Sequence, residues 1–510
     1  MPALRQRLGL ILGPALFLLV ALFVQPPGMS PQAALTLAAT LWIATWWVTE
    51  PVPLAVTSLL PIILFPALGL AKVGEVSASY GDPVIFLFLG GFLISIAFER
   101  WNLHRRIALG IISVIGTSPS RLLLGFLCAT AFISMWISNT ATAMMMLPIA
   151  MAVIRQVTDL TGRQPAPGSG KEASSPPDEA GTRTSPPGRP GGAEPVPKTN
   201  FGAALMLSVA WASSIGGVAT LIGTPPNAVF AAVASNTLGV QVRFVQWMLY
   251  GVPLAATVLL LAWALLLWLV PPEIREIPGG REVIREQLAA LGPVRPQERL
   301  VALVFALVSF AWIVRPWLVN PFLPQVDDAV IAIAGAFLLF LLPAGGEERR
   351  HLLEADDLRK VPWGILLLFG GGLALAEVFE SSGLSEWVAG QLAALRGVGF
   401  VGAILAVAAL VTFLTEFTSN TAIASLFLPL TASLGTGLGI PPLALMATAT
   451  ISSSLGFMLP AGTPPNAIVY GSGYLTIGQM VKTGFWLNLV SILVTTLFSS
   501  FWLPRVWGLG

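Results

Sequence analysis

Charge is scarce in this sequence: Asp, Glu, Lys and Arg make up 10% of its 510 residues, against about 25% in soluble domains. So little charge cannot cover a soluble surface, and apolar side chains at 55% with a mean hydropathy of +0.81 complete that exclusion. A single cysteine, Cys128, rules out an internal disulfide framework, and with only His104 and His351 beside it there is no metal-ligand cluster. A net charge of +2 leaves no basic face for nucleic acid. No GxxxxGK[ST] segment occurs, which removes the phosphate cradle an ATP-driven pump would need. What is present is Gly (50) and Pro (41) within long apolar runs, a mixture that transmembrane helices tolerate. The chain reads as an all-α polytopic membrane protein.

A crossing helix needs about 20 predominantly apolar residues. That predicts eleven spans: 9–25, 34–50, 53–68, 84–100, 203–237 (broken), 245–270, 298–316, 327–343, 363–380, 443–471 (broken) and 483–503. The first has no small-x-small cleavage site before Pro26-Pro27, so it reads as an uncleaved span. The 16 Trp residues fall mostly near span ends, as an interfacial belt would place them. Two stretches do not fit as simple spans. Leu122 to Ile154 is 33 residues without a charge; as one helix it would run about 50 Å, against a hydrocarbon core of about 30 Å. Two crossings and a turn would need more than about 40 residues, so a helical hairpin that enters halfway and returns fits better. Residues 398–435 pose the same problem and take the same answer. With the N-terminus in the cytoplasm and the C-terminus outside, all of the 27 basic residues but Lys72, Arg243, Arg315, Arg396 and Arg505 fall inside. Residues 162–198, rich in Pro, Gly and Ser, read as a disordered cytoplasmic tether.

The sequence repeats itself. Ser138-Asn139-Thr140-Ala141 returns as Ser419-Asn420-Thr421-Ala422. In the same register Gly90-Gly91 meets Gly371-Gly372, Glu99 meets Glu380, and Pro148 meets Pro429. Gly223-Thr224-Pro225-Pro226-Asn227-Ala228 returns as Gly462-Thr463-Pro464-Pro465-Asn466-Ala467, and the tether accounts for the longer spacing in the first copy. The organisation is then 1–33, a first span; 34–270, repeat 1 with hairpin 121–158, broken helix 203–237 and the insertion 160–200; and 271–510, repeat 2 with hairpin 398–435 and broken helix 443–471. Five crossings separate equivalent points, so the copies lie upside down relative to each other, a common secondary-transporter plan. The flanking segments 101–118 and 382–397 read as interfacial helices.

Ser, Asn and Thr at a hairpin tip leave backbone groups free at membrane depth, which is tolerated only where they are buried or line a cavity. Carbonyls with an Asn oxygen suit a hard cation; amides, hydroxyls and helix N-termini suit an anion. In Gly-Thr-Pro-Pro-Asn, Gly permits an unusual backbone angle and Pro opens a new helix, so the motif ends one half-helix and starts another. No Lys, Arg or His stands near any of the four motifs in sequence, and Glu416, the one acid near a tip, faces Met135 in the other copy. A structural hydrogen-bonding role suits Glu416 better than cation coupling. An intramembrane enzyme would need an activated nucleophile or metal set, and the motifs offer none.

These paired motifs resemble the divalent anion:sodium symporter family, the INDY-type dicarboxylate and citrate carriers. The resemblance covers nearly the whole chain from about residue 34, except 160–200. It implies two opposed re-entrant hairpins, a homodimer, an elevator motion, a plasma-membrane location and import of C4-dicarboxylates with co-transported sodium, without an organic cofactor. A dicarboxylate, citrate or 2-oxoglutarate antiporter on the same fold is the alternative. Carried over, sodium site 1 is Ser134, Ser138, Asn139 and Gly223; sodium site 2 is Thr415, Thr418, Asn420 and Gly462, with Thr418 contributing a backbone carbonyl. The substrate meets Asn139, Thr140, Thr224, Asn420, Thr421, Thr463 and Pro464. None of these falls in the tether. Deleting 165–196 is therefore expected to leave transport by reconstituted protein largely unchanged; lost uptake in a well-folded deletion would make the segment regulatory or structural.

Overall fold

The computed structural model of the protein describes residues 2–116, 118–162, 199–274, 280–345, 351–392, 397 and 399–508. The stretch read as a tether lies almost wholly outside them. The chain opens with α1 (Pro2–Phe23), α2 (Pro31–Thr49), α3 (Leu54–Thr57), α4 (Leu60–Ala67) and α5 (Val73–Ala78). A first series follows: α6 (Pro83–Arg100), α7 (Leu103–Ile115), α8 (Pro119–Ser134), α9 (Asn139–Gly162), α10 (Asn200–Gly217), α11 (Pro225–Leu238) and α12 (Phe244–Leu269). Three connecting helices, α13 (Gly280–Ala290), α14 (Pro296–Val314) and α15 (Asp328–Leu341), come next. A second series then runs α16 (Trp363–Ser381), α17 (Leu384–Leu392), α18 (Phe400–Thr415), α19 (Asn420–Leu438), α20 (Pro442–Ser454), α21 (Pro464–Gly471) and α22 (Ile477–Leu497), and α23 (Leu503–Trp507) closes the described chain.

Local chemistry sets these boundaries. Ser30, Asp82 and Thr199 accept the backbone N–H of Ala33, Val84 and Gly202, each with its side chain, and so cap α2, α6 and α10. Gly239 and Gly439 end α11 and α19 in the left-handed region at φ +64° and +71°. Among the described residues, eight helices are long and apolar enough to cross a membrane, and four apolar segments are shorter, α8 and α18 among them. The stretch 53–68, expected as one span, is split. Ser58 turns its hydroxyl onto Leu54 O (2.8 Å), and Pro61 sits in the first turn of α4.

The two series correspond helix for helix, α6 to α16 through α12 to α22, and they interlock. The returning arm α9 packs on α21, and α19 packs on α11; α10 meets α21 as α20 meets α11. Each hairpin therefore leans on the broken helix of the other copy, and the four breaks are drawn together. Close approach makes this possible: a Cβ on Gly216 would lie 2.2 Å from Ala131 O, so α10 and α8 touch backbone to backbone.

Not every tryptophan stands in an interfacial belt. Trp47, Trp211, Trp247 and Trp312 are fully buried. Trp136, in the turn of the first hairpin, packs edge-on to Phe305 of α14 (4.7 Å between centroids), within a cluster that includes Phe244 and Trp312. Burying that much ring area outweighs an interfacial preference. At the end of α6, Arg100 bonds Asp357 and pairs with Glu354 (3.2 Å), while Arg106 of α7 pairs with Glu298 (2.6 Å). Burial would push the Asp357 carboxyl up; Lys360, the Glu354 amide and Arg100 outweigh it and hold it below the usual carboxylate range.

Candidate functional site

The turn of the first hairpin runs from Ser134 to Asn139, and that of the second from Thr415 to Asn420. The same three groups meet at each. Ser134 Oγ donates to Ser213 O (2.6 Å) and lies 2.8 Å from Asn139 Oδ1. Thr415 Oγ1 donates to Ser453 O (2.7 Å) and lies 2.8 Å from Asn420 Oδ1. Both hydroxyl residues are fully buried. Around the inward end of the Asn139 carboxamide lie Ser134 Oγ at 2.8 Å, Ser213 O at 3.0 Å and Gly223 O at 3.3 Å. Three oxygens about one point suit an amide N–H; with the amide oxygen turned in, the four would surround a cation.

The breaks in the long helices are held by their own motif. Asn227 Nδ2 donates to Thr220 O (2.7 Å) and Gly217 O (3.2 Å), and Asn466 Nδ2 to Leu459 O (3.1 Å) and Gly456 O (3.4 Å). Each asparagine is fully buried and staples the unwound backbone that its own helix follows. Sequence reasoning quoted these two residues and gave them no role, because nothing local shows which carbonyls a distant turn leaves free. The two motif glycines also answer different obstacles. A Cβ on Gly223 would lie 2.4 Å from Gly217 O, whereas one on Gly462 would lie 3.0 Å from Glu416 Oε2.

One cavity of about 770 Å³ gathers the motifs. Ser138, Asn139, Thr140 and Thr224 line it from the first copy, and Thr418, Asn420, Thr421, Gly462, Thr463 and Pro464 from the second. Ser134, Thr415 and Gly223 stand behind this wall. The lining includes the first residues of α9, α11, α19 and α21, so four helix N-termini face a single space. The first residues of α9 and α19, Asn139-Thr140 and Asn420-Thr421, bring backbone N–H groups to it, whereas α11 and α21 open on Pro-Pro, which has none, and add only the positive end of the helix dipole; together these suit an anion. Ser138 is partly committed, since its Oγ accepts Ala141 N (3.3 Å). Thr418 is buried, and its hydroxyl has no hydrogen-bond partner among the described residues.

Two features depart from the sequence expectation. Arg5 lines the same cavity and donates to Phe417 O (3.4 Å), in the turn of the second hairpin, and to Val48 O. The site therefore has a basic residue that no motif neighbours in sequence. It arrives because α1 lies tight on α2, Gly9 against Thr49 and Gly13 against Trp46. The other is Glu416, fully buried: Oε1 accepts Phe457 N (2.7 Å), Met458 N (2.9 Å) and Asn488 Nδ2 (2.7 Å), and Oε2 accepts Leu459 N (2.9 Å).

A family model described as the sodium:sulfate symporter transmembrane region matches residues 5–508. The chain is 42% identical over 508 residues to the sodium-dependent dicarboxylate transporter SdcS of Staphylococcus saprophyticus, covering 99% of this chain and 92% of that protein. It is 41% identical to SdcS of Staphylococcus aureus with the same coverage. Among solved structures, MtrF of Neisseria gonorrhoeae aligns with a TM-score of 0.54 at 12% identity, over 98% of this chain and 95% of that one. The YdaH transporter of Alcanivorax borkumensis aligns at 0.50 with 16% identity, over 86% and 88%. Likeness at those identities is one of fold. With a family match spanning almost the whole chain and relatives at 41–42% identity end to end, the chain belongs to the divalent anion:sodium symporter family.

Proposed function

We propose that this protein imports C4-dicarboxylates, of the succinate, malate and fumarate class, by symport with sodium. The observation that carries the reading is the convergence of four helix N-termini and two matched hydroxyl–carboxamide–carbonyl clusters on one cavity. Relatives named as sodium-dependent dicarboxylate transporters support it. In this reading Asn139, Thr140, Asn420 and Thr421 meet the substrate carboxylates, with Thr224, Thr463 and Pro464 beside them. One sodium is held by Ser134, Ser138, Asn139 and Gly223, to which the observed cluster adds Ser213 O. The other is held by Thr415, Thr418, Asn420 and Gly462. Arg5 adds one formal positive charge to the cavity wall. The chain works as a homodimer with its N-terminus cytoplasmic and its C-terminus outside, and the hairpin-bearing halves carry the site across by an elevator motion.

The test is uptake of labelled anions into proteoliposomes under sodium, potassium and proton gradients, with and without internal substrate. Net uptake of a C4-dicarboxylate that requires the sodium gradient and no internal substrate is the expected result. Uptake only in exchange for internal substrate, indifferent to sodium, would replace the symporter with an antiporter.

A further inference from the structure

Arg5 stands on the wall of the cavity, yet it belongs to none of the helices that carry the repeated motifs. We infer that Arg5 is a one-sided substrate contact. Its guanidinium receives a substrate carboxylate only while the cavity is open to the membrane face at which α1 begins, and so sets the affinity on that face alone. The inference rests on the dicarboxylate reading above and deepens it.

The lining shows which face that is. Beside the motif residues stand Gln6 next to Arg5 in α1, Thr49 at the end of α2, Leu54 at the start of α3 and Gly364 at the start of α16. Gly9 of α1 lies against Thr49 and Gly13 against Trp46, so the two helices run antiparallel and α1 begins where α2 ends. Arg5 and Glu50 are exposed there, and the cavity reaches the surface between them.

Arg5 is the single basic residue in this lining. Nη1 donates to Phe417 O (3.4 Å) and Nη2 to Val48 O. Val48 O belongs to the last turn of α2 and Phe417 O to the turn after α18, and carbonyls at helix ends favour a cation. They fix the guanidinium without cancelling its charge. Among the described residues Arg5 makes no ion pair, not even with Glu50, the one acid in the same lining. A guanidinium presents five N–H donors in a planar fork that matches a carboxylate, and the two carbonyls leave part of that fork free. Beside a site suited to an anion, such a fork is a carboxylate receiver.

One-sidedness follows from where Arg5 is anchored. It is tied to α2 through α1, whereas Asn139, Thr140, Asn420 and Thr421 ride on the hairpins. In the elevator reading the hairpins carry the substrate away from α1, and at the opposite face the motif groups hold it without the guanidinium. Orienting α1 in the membrane does not account for this placement. A terminal positive charge is enough for that, and Arg7 supplies one from an exposed position that does not line the cavity. Because Arg5 faces water, its charge is weakened and its effect is severalfold rather than all-or-none.

The test is the succinate KM at each face of proteoliposomes whose orientation is read from protease access to an N-terminal tag. Arg5→Gln should raise KM at the N-terminal face at least fivefold and change it less than twofold at the opposite face. Arg5→Lys, which keeps the charge and loses the fork, should raise it less than Arg5→Gln does. Arg7→Gln removes the same charge away from the cavity and should leave both values within twofold. Equal shifts at the two faces, no shift at the N-terminal face, or the same shift in Arg7→Gln would each overturn the inference. If Arg5→Gln does not insert, the parent protein still decides. Raising ionic strength with choline chloride at fixed sodium should weaken succinate more at the N-terminal face, since an exposed charge is screened, and an equal response at both faces overturns the inference. A parent that transports no dicarboxylate defeats the function proposed above; a transporting parent with a symmetrical Arg5→Gln defeats only this inference.

Discussion

Asn139→Ala and Asn420→Ala should each reduce sodium-driven dicarboxylate uptake to the level of empty liposomes while the protein stays monodisperse and helical. The reason lies in what each carboxamide joins. Asn139 starts α9, lines the cavity and turns inward to Ser134 Oγ, Ser213 O and Gly223 O. Asn420 starts α19, lines the same cavity and meets Thr415 Oγ1. One side chain thus belongs both to the oxygen cluster proposed for the cation and to the wall proposed for the anion. Alanine leaves those oxygens facing one another, without an amide N–H between them or a ligand oxygen for sodium. Leaving buried polar groups unpaired costs about 1–3 kcal/mol at each site, small beside the packing of so many buried helices but decisive for a binding event. A variant that transports at the parent rate would remove its asparagine from the site. One that fails to fold is distinguished by its chromatographic profile, and Asn→Ser, which restores a short oxygen ligand, then serves in its place.

How much of this could be read in advance follows from the range of the signals. Both hairpin turns and both helix breaks were legible because Asn, Gly and Pro act on backbone within a few residues of themselves, and the repeat doubled each signal. The charge-free length of Leu122 to Ile154 gave the first hairpin, and α8 and α9 do part at Ser134 and Asn139. Arg5 was not legible, since its place at the cavity depends on α1 lying on α2 and on the second hairpin folding back to both. Nor was the company Glu416 keeps: amides of residues 457–459 become available only once α20 has ended and its unwound segment has met the turn after α18. The single-residue slip between copies was also hidden. Gly217 and Gly456 match under the two asparagine staples while Ser213 and Ser453 match under the two hairpin turns, so the first copy carries one more residue between those points, and a Cβ on Gly217 would strike Asn139 Oδ1 at 2.4 Å. Local conformation is written in local residues, whereas the electrostatics of this site are assembled from segments several hundred positions apart.

Those electrostatics lead to the second large effect: sodium should raise dicarboxylate affinity on the order of 10- to 100-fold, and the dicarboxylate should raise sodium affinity by the same factor, as linkage requires. Two negative charges at membrane depth are very costly without compensation. Four helix N-termini offer at most about half a charge each, spread around the wall rather than placed on the substrate. Arg5 adds one positive charge from an exposed position, where water weakens it. Glu416 takes a whole charge back. The fixed charges of the site therefore fall short of neutralising a dianion, and cations bound at the two oxygen clusters are what closes the gap. Calorimetric titration with succinate in sodium and in choline at equal ionic strength measures the first factor, and a sodium titration with and without succinate measures the second. Sodium alone should also raise the melting temperature of the substrate-free protein, with choline inert, because it binds the folded form. Succinate affinity that stays the same when choline replaces sodium would mean that the wall and Arg5 suffice for the dianion, and the symport reading would give way to exchange.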